Sequence, residues 1–304
     1  MNMDKAIEAK GLGKSYGSAA AVNDVSFASD YGEIFGLIGP DGAGKTSLFK
    51  ILATLIKPDR GEAKVGGRDI RKDYKKIRTE IGYMPGKFSL YQDLSVREHI
   101  EFFASVFGTD IKKSYPFIEP VYKQIKPFEK RAAGKLSGGM KQKLALCCAL
   151  VHLPKILFLD EPTTGVDAVS RKEFWDILNR LKAKGMAIIV STPYMDEAQR
   201  CDRIALMYKG SLLGIDSPQG IQDLYKDRLY EISSENMYDA LNQARLCAEV
   251  KSCYTFGQSH HLVGKSGFQE EKFKEEMKRR GIENIKIKEI KAGIEDVFIS
   301  LLSK

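Results

Sequence analysis

One eight-residue stretch constrains this chain more than any other: Gly39-Pro40-Asp41-Gly42-Ala43-Gly44-Lys45-Thr46. Three glycines, a lysine and a hydroxyl residue in this spacing make a loop that cradles phosphate groups. Gly39, Gly42 and Gly44 let the backbone take turns closed to other residues and approach an anion closely. Successive N–H groups, and the start of the helix that follows, then point at that anion. Lys45 adds a mobile positive charge. The Thr46 hydroxyl suits a divalent-cation ligand, and Ser47 follows it in the first helical turn. The flanks agree with this reading. Ile34-Phe35-Gly36-Leu37-Ile38 is an apolar run of buried-strand length, and Leu48, Ile51, Leu52 and Leu55 repeat at helical spacing.

The rest of the chain is consistent with an α/β domain and a smaller companion. At 304 residues, with 43% apolar content, a sizeable core is available. No apolar run reaches the roughly 18 residues of a bilayer span, and the longest, Leu144 to Leu153, stops at Pro154. The first residues, Met1-Asn2-Met3-Asp4-Lys5, lack the apolar stretch of a secretory signal. Five cysteines without a Cys-x-x-Cys pair point to reduced thiols rather than zinc. A net charge of +8 permits an anionic partner without requiring one.

Along the chain, Ile7 to Ala9 reads as a short edge strand, and Lys14-Ser15-Tyr16-Gly17 as a turn. Val22, Val25 and Phe27 mark a second strand, and Tyr31-Gly32-Glu33 a tight hairpin into the strand before the phosphate loop. From Ser95 to Pro154 the pattern is mostly helical, with Ser95-Val96-Arg97-Glu98 as a capping box. Strands resume at Ile156-Leu157-Phe158-Leu159 and at Ala187 to Thr192, alternating with helices, which implies a mostly parallel sheet. Beyond Ser217-Pro218 the order becomes strand, helix, strand, strand, helix, strand, helix. That is the grammar of a small α+β domain of split-βαβ type.

Two further stretches carry chemistry. Asp160 and Glu161 end an apolar strand, where one carboxylate can hold Mg²⁺ and the next can polarise an attacking water as general base. Leu136-Ser137-Gly138-Gly139-Met140-Lys141-Gln142 opens a helix: Ser137 caps it, and Gly138 and Gly139 leave N–H groups bare, a second anion site.

Phosphate loop, Ser-Gly-Gly helix start and Asp-Glu pair, in this order, resemble the ATP-binding cassette (ABC) ATPases over about Ile7 to Gly214. The resemblance implies a P-loop NTPase of ABC type over residues 1–216, with a helical subdomain at about 87–155, and an accessory α+β domain over 217–304. It implies ATP and Mg²⁺ as cofactors. The candidate ATP contacts are Tyr16 (stacking on adenine), Gly39, Pro40, Asp41, Gly42, Ala43, Gly44, Lys45, Thr46 and Ser47, with Ser137, Gly138 and Gly139 serving the ATP of a partner. Thr46 and Asp160 would hold the metal, and Lys45 and Glu161 would be catalytic. The implied partners are a second ABC ATPase domain, identical or not, paired head to tail through Thr163-Thr164-Gly165-Val166-Asp167, and a separate integral-membrane permease. The implied place is the cytoplasm, at the inner face of the cell membrane. Tyr83-Met84-Pro85, Tyr194-Met195-Asp196-Glu197-Ala198 and Gly293 to Ile299 resemble the ATPases of prokaryotic drug- and polysaccharide-type exporters.

The sequence departs from that family at three places. Gly86 stands where the family usually has a Gln beside Mg²⁺ and the attacking water. Pro193 stands where it usually has a His on the γ-phosphate, and proline can donate no hydrogen bond. Asp41 adds a negative charge to the loop. The expectation is an exporter ATPase whose own site binds well and hydrolyses slowly. Two alternatives stay open: a largely non-hydrolysing regulatory subunit, and a non-transport ABC ATPase acting on nucleic acid or ribosomes. Nucleic acid is not the expected partner, because that branch usually carries two cassettes or a long coiled coil.

Overall fold

The computed structural model describes residues 5–302, so all but the last residue of the Met1-to-Lys5 start lies outside it. The chain divides into two compact units, Met1–Gln219 and Gly220–Lys304. In the first unit the elements run β1 (Ile7–Tyr16), β2 (Ala19–Ser29), β3 (Ile34–Ile38), α1 (Lys45–Leu52), β4 (Arg60–Val65), β5 (Arg68–Asp69), α2 (Tyr74–Glu80) and β6 (Ile81–Met84). Then come α3 (Val96–Val106), α4 (Ile111–Ile125), α5 (Gly138–Leu150), β7 (Ile156–Asp160), α6 (Ala168–Ala183), β8 (Ala187–Thr192), β9 (Arg203–Tyr208) and β10 (Ser211–Asp216).

The main sheet has the order β10-β9-β3-β8-β7-β6, and from β9 to β6 every pairing is parallel. All residues of β3, β7 and β8 are buried, which is why they read as unbroken apolar runs rather than alternating ones. A second, antiparallel sheet has the order β2-β1-β4-β5. One core joins the two sheets: Ile7, Leu12 and Val25 pack in the same cluster as Leu48, Phe49 and Phe158.

Several expectations are corrected here. β1 is ten residues long and central to its sheet, not a short edge, and it ends at Tyr16. Its alternation is interrupted by irregular register at Ala9/Leu12 and Leu12/Lys14, which hid it. Tyr31-Gly32-Glu33 is not a hairpin: β2 and β3 belong to different sheets, and the turn carries the chain between them. The helix after the phosphate loop stops at Leu52, with Thr54 in a left-handed turn and Leu55 exposed. The helical expectation for Ser95 to Pro154 holds in α4 even though it contains Pro116 and Pro120. This helix forms because Asp110 caps it and Ile118, Val121 and Ile125 bury one face. The capping box at Ser95 is present: Glu98 N–H donates to Ser95 Oγ at 3.2 Å, and Ser95 N–H to Glu98 Oε2 at 2.7 Å.

A short helix α7 (Pro218–Gln222) continues the chain. The second unit holds β11 (Leu229–Ser233), α8 (Met237–Leu246), β12 (Val250–Phe256), β13 (Ser259–Gly264), α9 (Glu270–Arg279), β14 (Lys286–Ile290) and α10 (Ile294–Leu302). Its sheet order is β12-β13-β11-β14, all antiparallel. β13 lies between β11 and β12, so the βαβ they form with α8 is split, the arrangement its grammar predicts. Tyr230, Phe273 and Met277 are central to its own core.

Candidate functional site

The site is built at the C-terminal ends of β3, β7 and β8, where an open parallel sheet leaves room for a ligand. β3 feeds directly into the glycine loop. Gly42 and Gly44 have φ of 78° and 105°, a region that strains side chains. A Cβ on Gly44 would meet the Ala21 carbonyl oxygen at 2.0 Å, and one on Gly39 would meet the Met207 carbonyl oxygen at 2.2 Å. A Cβ on Gly42 would meet nothing, so that glycine faces open space. The loop is thus clamped from behind by Ala21 and Met207, and its front is free. The Gly210 N–H, donating to Ala43 O at 2.8 Å, adds a further tie. Asp41 and Thr46 are exposed at this front, and Ser47 is half-buried.

Lys45 is buried at the start of α1. Its Nζ donates to Gly39 O at 2.7 Å and Pro40 O at 3.0 Å, and lies 3.2 Å from Glu161 Oε1. The fold therefore joins the lysine and the carboxylate that sequence separates. Glu161 itself has φ of 50°, a left-handed backbone unusual for a residue with a side chain. Its N–H donates to Ser191 O at 3.1 Å and to Ser191 Oγ at 3.0 Å, which holds that conformation. The Ser191 hydroxyl donates in turn to Asp160 Oδ1 at 2.6 Å, inside the protein. Tyr83, on the neighbouring strand, has its phenol pushed up to about 12 by burial and by the negative charge of Asp160.

Gly86 lies against this pair: a Cβ there would sit 3.1 Å from Asp160 O and 3.8 Å from Glu161 Cβ. Pro193 follows Thr192, the last residue of β8, whose carbonyl accepts from Gly39 N–H at 3.3 Å. Two of the three departures noted in the sequence, Gly86 and Pro193, therefore stand at the edge of the candidate site.

The other candidate residues are held elsewhere. Ser137 caps α5, accepting from Met140 N–H at 3.4 Å. Gly138 lies against the loop before α6 and Gly139 against the first turn of α6: their Cβ atoms would lie 3.3 Å from Gly165 O and 2.8 Å from Ser170 Oγ. Asp167 caps α6 through Ser170 N–H at 2.9 Å, and that bond holds its carboxyl below the usual range. Lys143 of α5 pairs with Glu173 of α6 at 2.6 Å. Tyr16, at the tip of β1, is 52% exposed, with Lys14 Nζ 5.8 Å from its ring centre. Sequence reasoning missed Ser191, Ala21, Met207 and the buried Glu197. Glu197 stands in the Tyr194-to-Ala198 stretch, which gave it no role, and each of the four matters only through what the fold sets beside it.

A mainly apolar groove of about 420 Å³ lies beside the helical stretch, lined among others by Met84, Phe88, Leu90, Phe103, Phe107 and His152. His152 stacks on Phe107 at 3.9 Å between ring centres, and its Nε2 is 2.9 Å from Ile81 O. Burial pulls its imidazole below the ordinary range. Among the described residues no helix is long and apolar enough to cross a membrane.

The ABC transporter family model matches residues 22–164. Nod factor export ATP-binding protein I of Rhizobium sp. (strain N33) is 33% identical over 311 residues, covering 98% of this chain and 97% of that protein. The chain belongs to the ABC transporter family of ATP-binding proteins. The probable multidrug ABC transporter ATP-binding protein YbhF of Escherichia coli (strain K12) is 44% identical over 218 residues, or 71% of this chain. The chain spans only 38% of the length of YbhF. Among solved structures, an ATP binding subunit of an ABC transporter matches with a TM-score of 0.66 and 27% identity, covering 72% of this chain and 92% of that one. The dimeric cassette MJ0796, at a TM-score of 0.63 and 24% identity over 69% of this chain and 98% of its own, shows the same fold. ABC membership accounts for the order of glycine loop, Ser-Gly-Gly helix start and Asp-Glu strand end.

Proposed function

We propose that this chain is the ATP-binding and ATP-hydrolysing subunit of an exporter, working as one of two cassettes beneath a separate membrane permease. The observation that carries the reading is the meeting of Lys45 and Glu161 at 3.2 Å, at the mouth of the glycine loop and next to Asp160. The exporter class is supported by the names of the two relatives above. The apolar groove beside Phe103 and Phe107 is the surface offered to the permease. The place of work is the cytoplasmic face of the membrane.

The residues fit MgATP. The loop front at Gly42 is open to a phosphate, and Thr46 and Asp160 offer the hard oxygen donors that Mg²⁺ takes. Bound there, the metal would neutralise charge between the last two phosphates. Lys45 supplies a second positive charge from a buried position. Glu161 holds a carboxylate where a water in line with the last phosphate can be oriented. Tyr16 is exposed at a strand tip, free to stack on a base. Ser137, Gly138 and Gly139 present a capped helix start to the ATP of a second cassette.

The test is hydrolysis by the purified chain and by Glu161→Gln. Loss of a general base lowers the rate by about a hundredfold to ten-thousandfold, with MgATP binding kept. Equal rates would reject the assignment. A second reading, a subunit that binds ATP and barely cleaves it, is favoured by Gly86 and Pro193 at the site edge. It predicts a low wild-type rate that Glu161→Gln barely changes.

A further inference from the structure

We propose that Glu197 is a positioning residue through which the phosphate loop and the Ser137–Gly139 helix start of one chain act on each other. This rests on the reading of the chain as one of two ATP-bridged cassettes. In that arrangement the loop holds one ATP and the helix start serves the other, so a path between them couples the two sites.

The path is continuous. Gly39 N–H donates to Thr192 O at 3.3 Å, which ties the loop to the end of β8. The Thr192 hydroxyl donates to Glu197 Oε2 at 2.7 Å. The Thr163 hydroxyl donates to the same oxygen at 3.0 Å. Thr163 opens the loop whose Gly165 oxygen faces Gly138 and which leads into α6, where Ser170 of the first turn faces Gly139. One carboxylate oxygen thus joins the strand end beside Pro193 to the loop under the helix start. Glu197 is 1% exposed, and the proposed chemistry makes no use of it. A buried carboxylate is costly unless hydrogen bonds satisfy it, and the two threonine hydroxyls serve one of its oxygens only.

Its other oxygen supplies the second arrangement that coupling needs. Oε1 has no hydrogen bond among the described residues, and neither has the buried Nε of Arg171. Arg171 Nη1 stands 4.0 Å from Oε1 and 3.9 Å from Asp196 Oδ2, while the guanidinium carbon lies 4.9 Å from the Tyr194 ring centre. A shift of about 1 Å would close a charge-assisted bond. Arg171 lies on α6, the helix that carries Ser170. The closed and open forms of this pair are the two states that the nucleotide at either end would bias.

The experiment uses the full chain in a Glu161→Gln background. Affinity of the monomer for a fluorescent ATP analogue is measured together with ATP-driven dimerisation by sedimentation. Thr163→Val should leave monomer affinity within about twofold while weakening dimerisation by about tenfold or more, the size of a typical coupling. Thr163→Ser, which keeps the hydroxyl, should restore dimerisation, a rescue that mere packing does not give. Thr192→Val combined with Thr163→Val should weaken dimerisation no further than either alone. Unchanged dimerisation in Thr163→Val overturns the coupling and leaves the functional reading standing. Parallel loss of affinity and dimerisation also overturns it, because the site itself has then collapsed. A parent chain that binds no analogue, or never dimerises with ATP, overturns the functional reading and the coupling together.

Discussion

At the scale of single residues, the site is decided by what stands beside Asp160 and Glu161. A Cβ at Gly86 would sit 3.1 Å from Asp160 O, so a side chain there asks its neighbours to give by a few tenths of an ångström. Pro193 presents no donor at the end of β8. Restoring both polar groups with Gly86→Gln and Pro193→His should raise the hydrolysis rate by about tenfold or more, since one transition-state hydrogen bond is worth about a hundredfold to a thousandfold. Steady-state phosphate release checks this. An unchanged rate would mean that neighbours already compensate. Gly44→Ala tests the loop itself. Its φ of 105° and the Ala21 oxygen 2.0 Å from the new Cβ leave no room. MgATP affinity should fall by about tenfold or more as the loop is displaced, because backbone N–H groups aimed at the anion carry the binding. Titration with a fluorescent nucleotide measures it.

At the scale of elements, helix starts carry separate duties. The start of α3 is a closed capping box, both of whose hydrogen bonds pass through Ser95 or Glu98. Ser95→Ala should cost about 1 kcal/mol of stability, read from urea unfolding, with nucleotide affinity unmoved. The start of α5, by contrast, has bare glycines and only a long cap bond. That contrast was visible in sequence as Ser-x-x-Glu against Ser-Gly-Gly. The groove beside α3 adds a pH dependence. His152 titrates below its unfolded range because burial penalises its charge. The unfolded chain then takes up this proton at a higher pH than the folded one. Stability from this group is full above pH of about 6.5 and declines as pH falls below it. Unfolding followed from pH 7 down to pH 5 should show that slope, and His152→Phe should flatten it while keeping the stack on Phe107.

At the scale of the whole molecule, two units each have a core of their own. Met277 is fully buried in the second core, with its sulfur 3.8 Å from Cys247 Sγ. Met277→Ala should cost that unit about 2–5 kcal/mol, seen as a lower unfolding transition in calorimetry, with MgATP affinity of the first unit kept. The chain's own residues determined the existence of both units, the buried strands and the phosphate loop. Local rules suffice for these: unbroken apolar runs, glycine spacing, caps, and the strand-helix order that makes a split βαβ. The parts misread were those where a non-local partner overrides local signals. β1 is long because β2 and β4 flank it through irregular registers, and Tyr31-Gly32-Glu33 passes between two sheets rather than folding back. The candidate site divides in the same way. Lys45, Asp160 and Glu161 were legible as types. Only the tertiary structure decided that Lys45 meets Glu161, that Ser191 holds Asp160 and the Glu161 backbone, and that one Glu197 oxygen takes hydrogen bonds from Thr192, at the end of β8, and Thr163, just after β7. Hydrogen bonds between residues some 30 positions apart leave no periodic trace in a chain. The parallel sheet that sets β7 beside β8 is what brings those residues together.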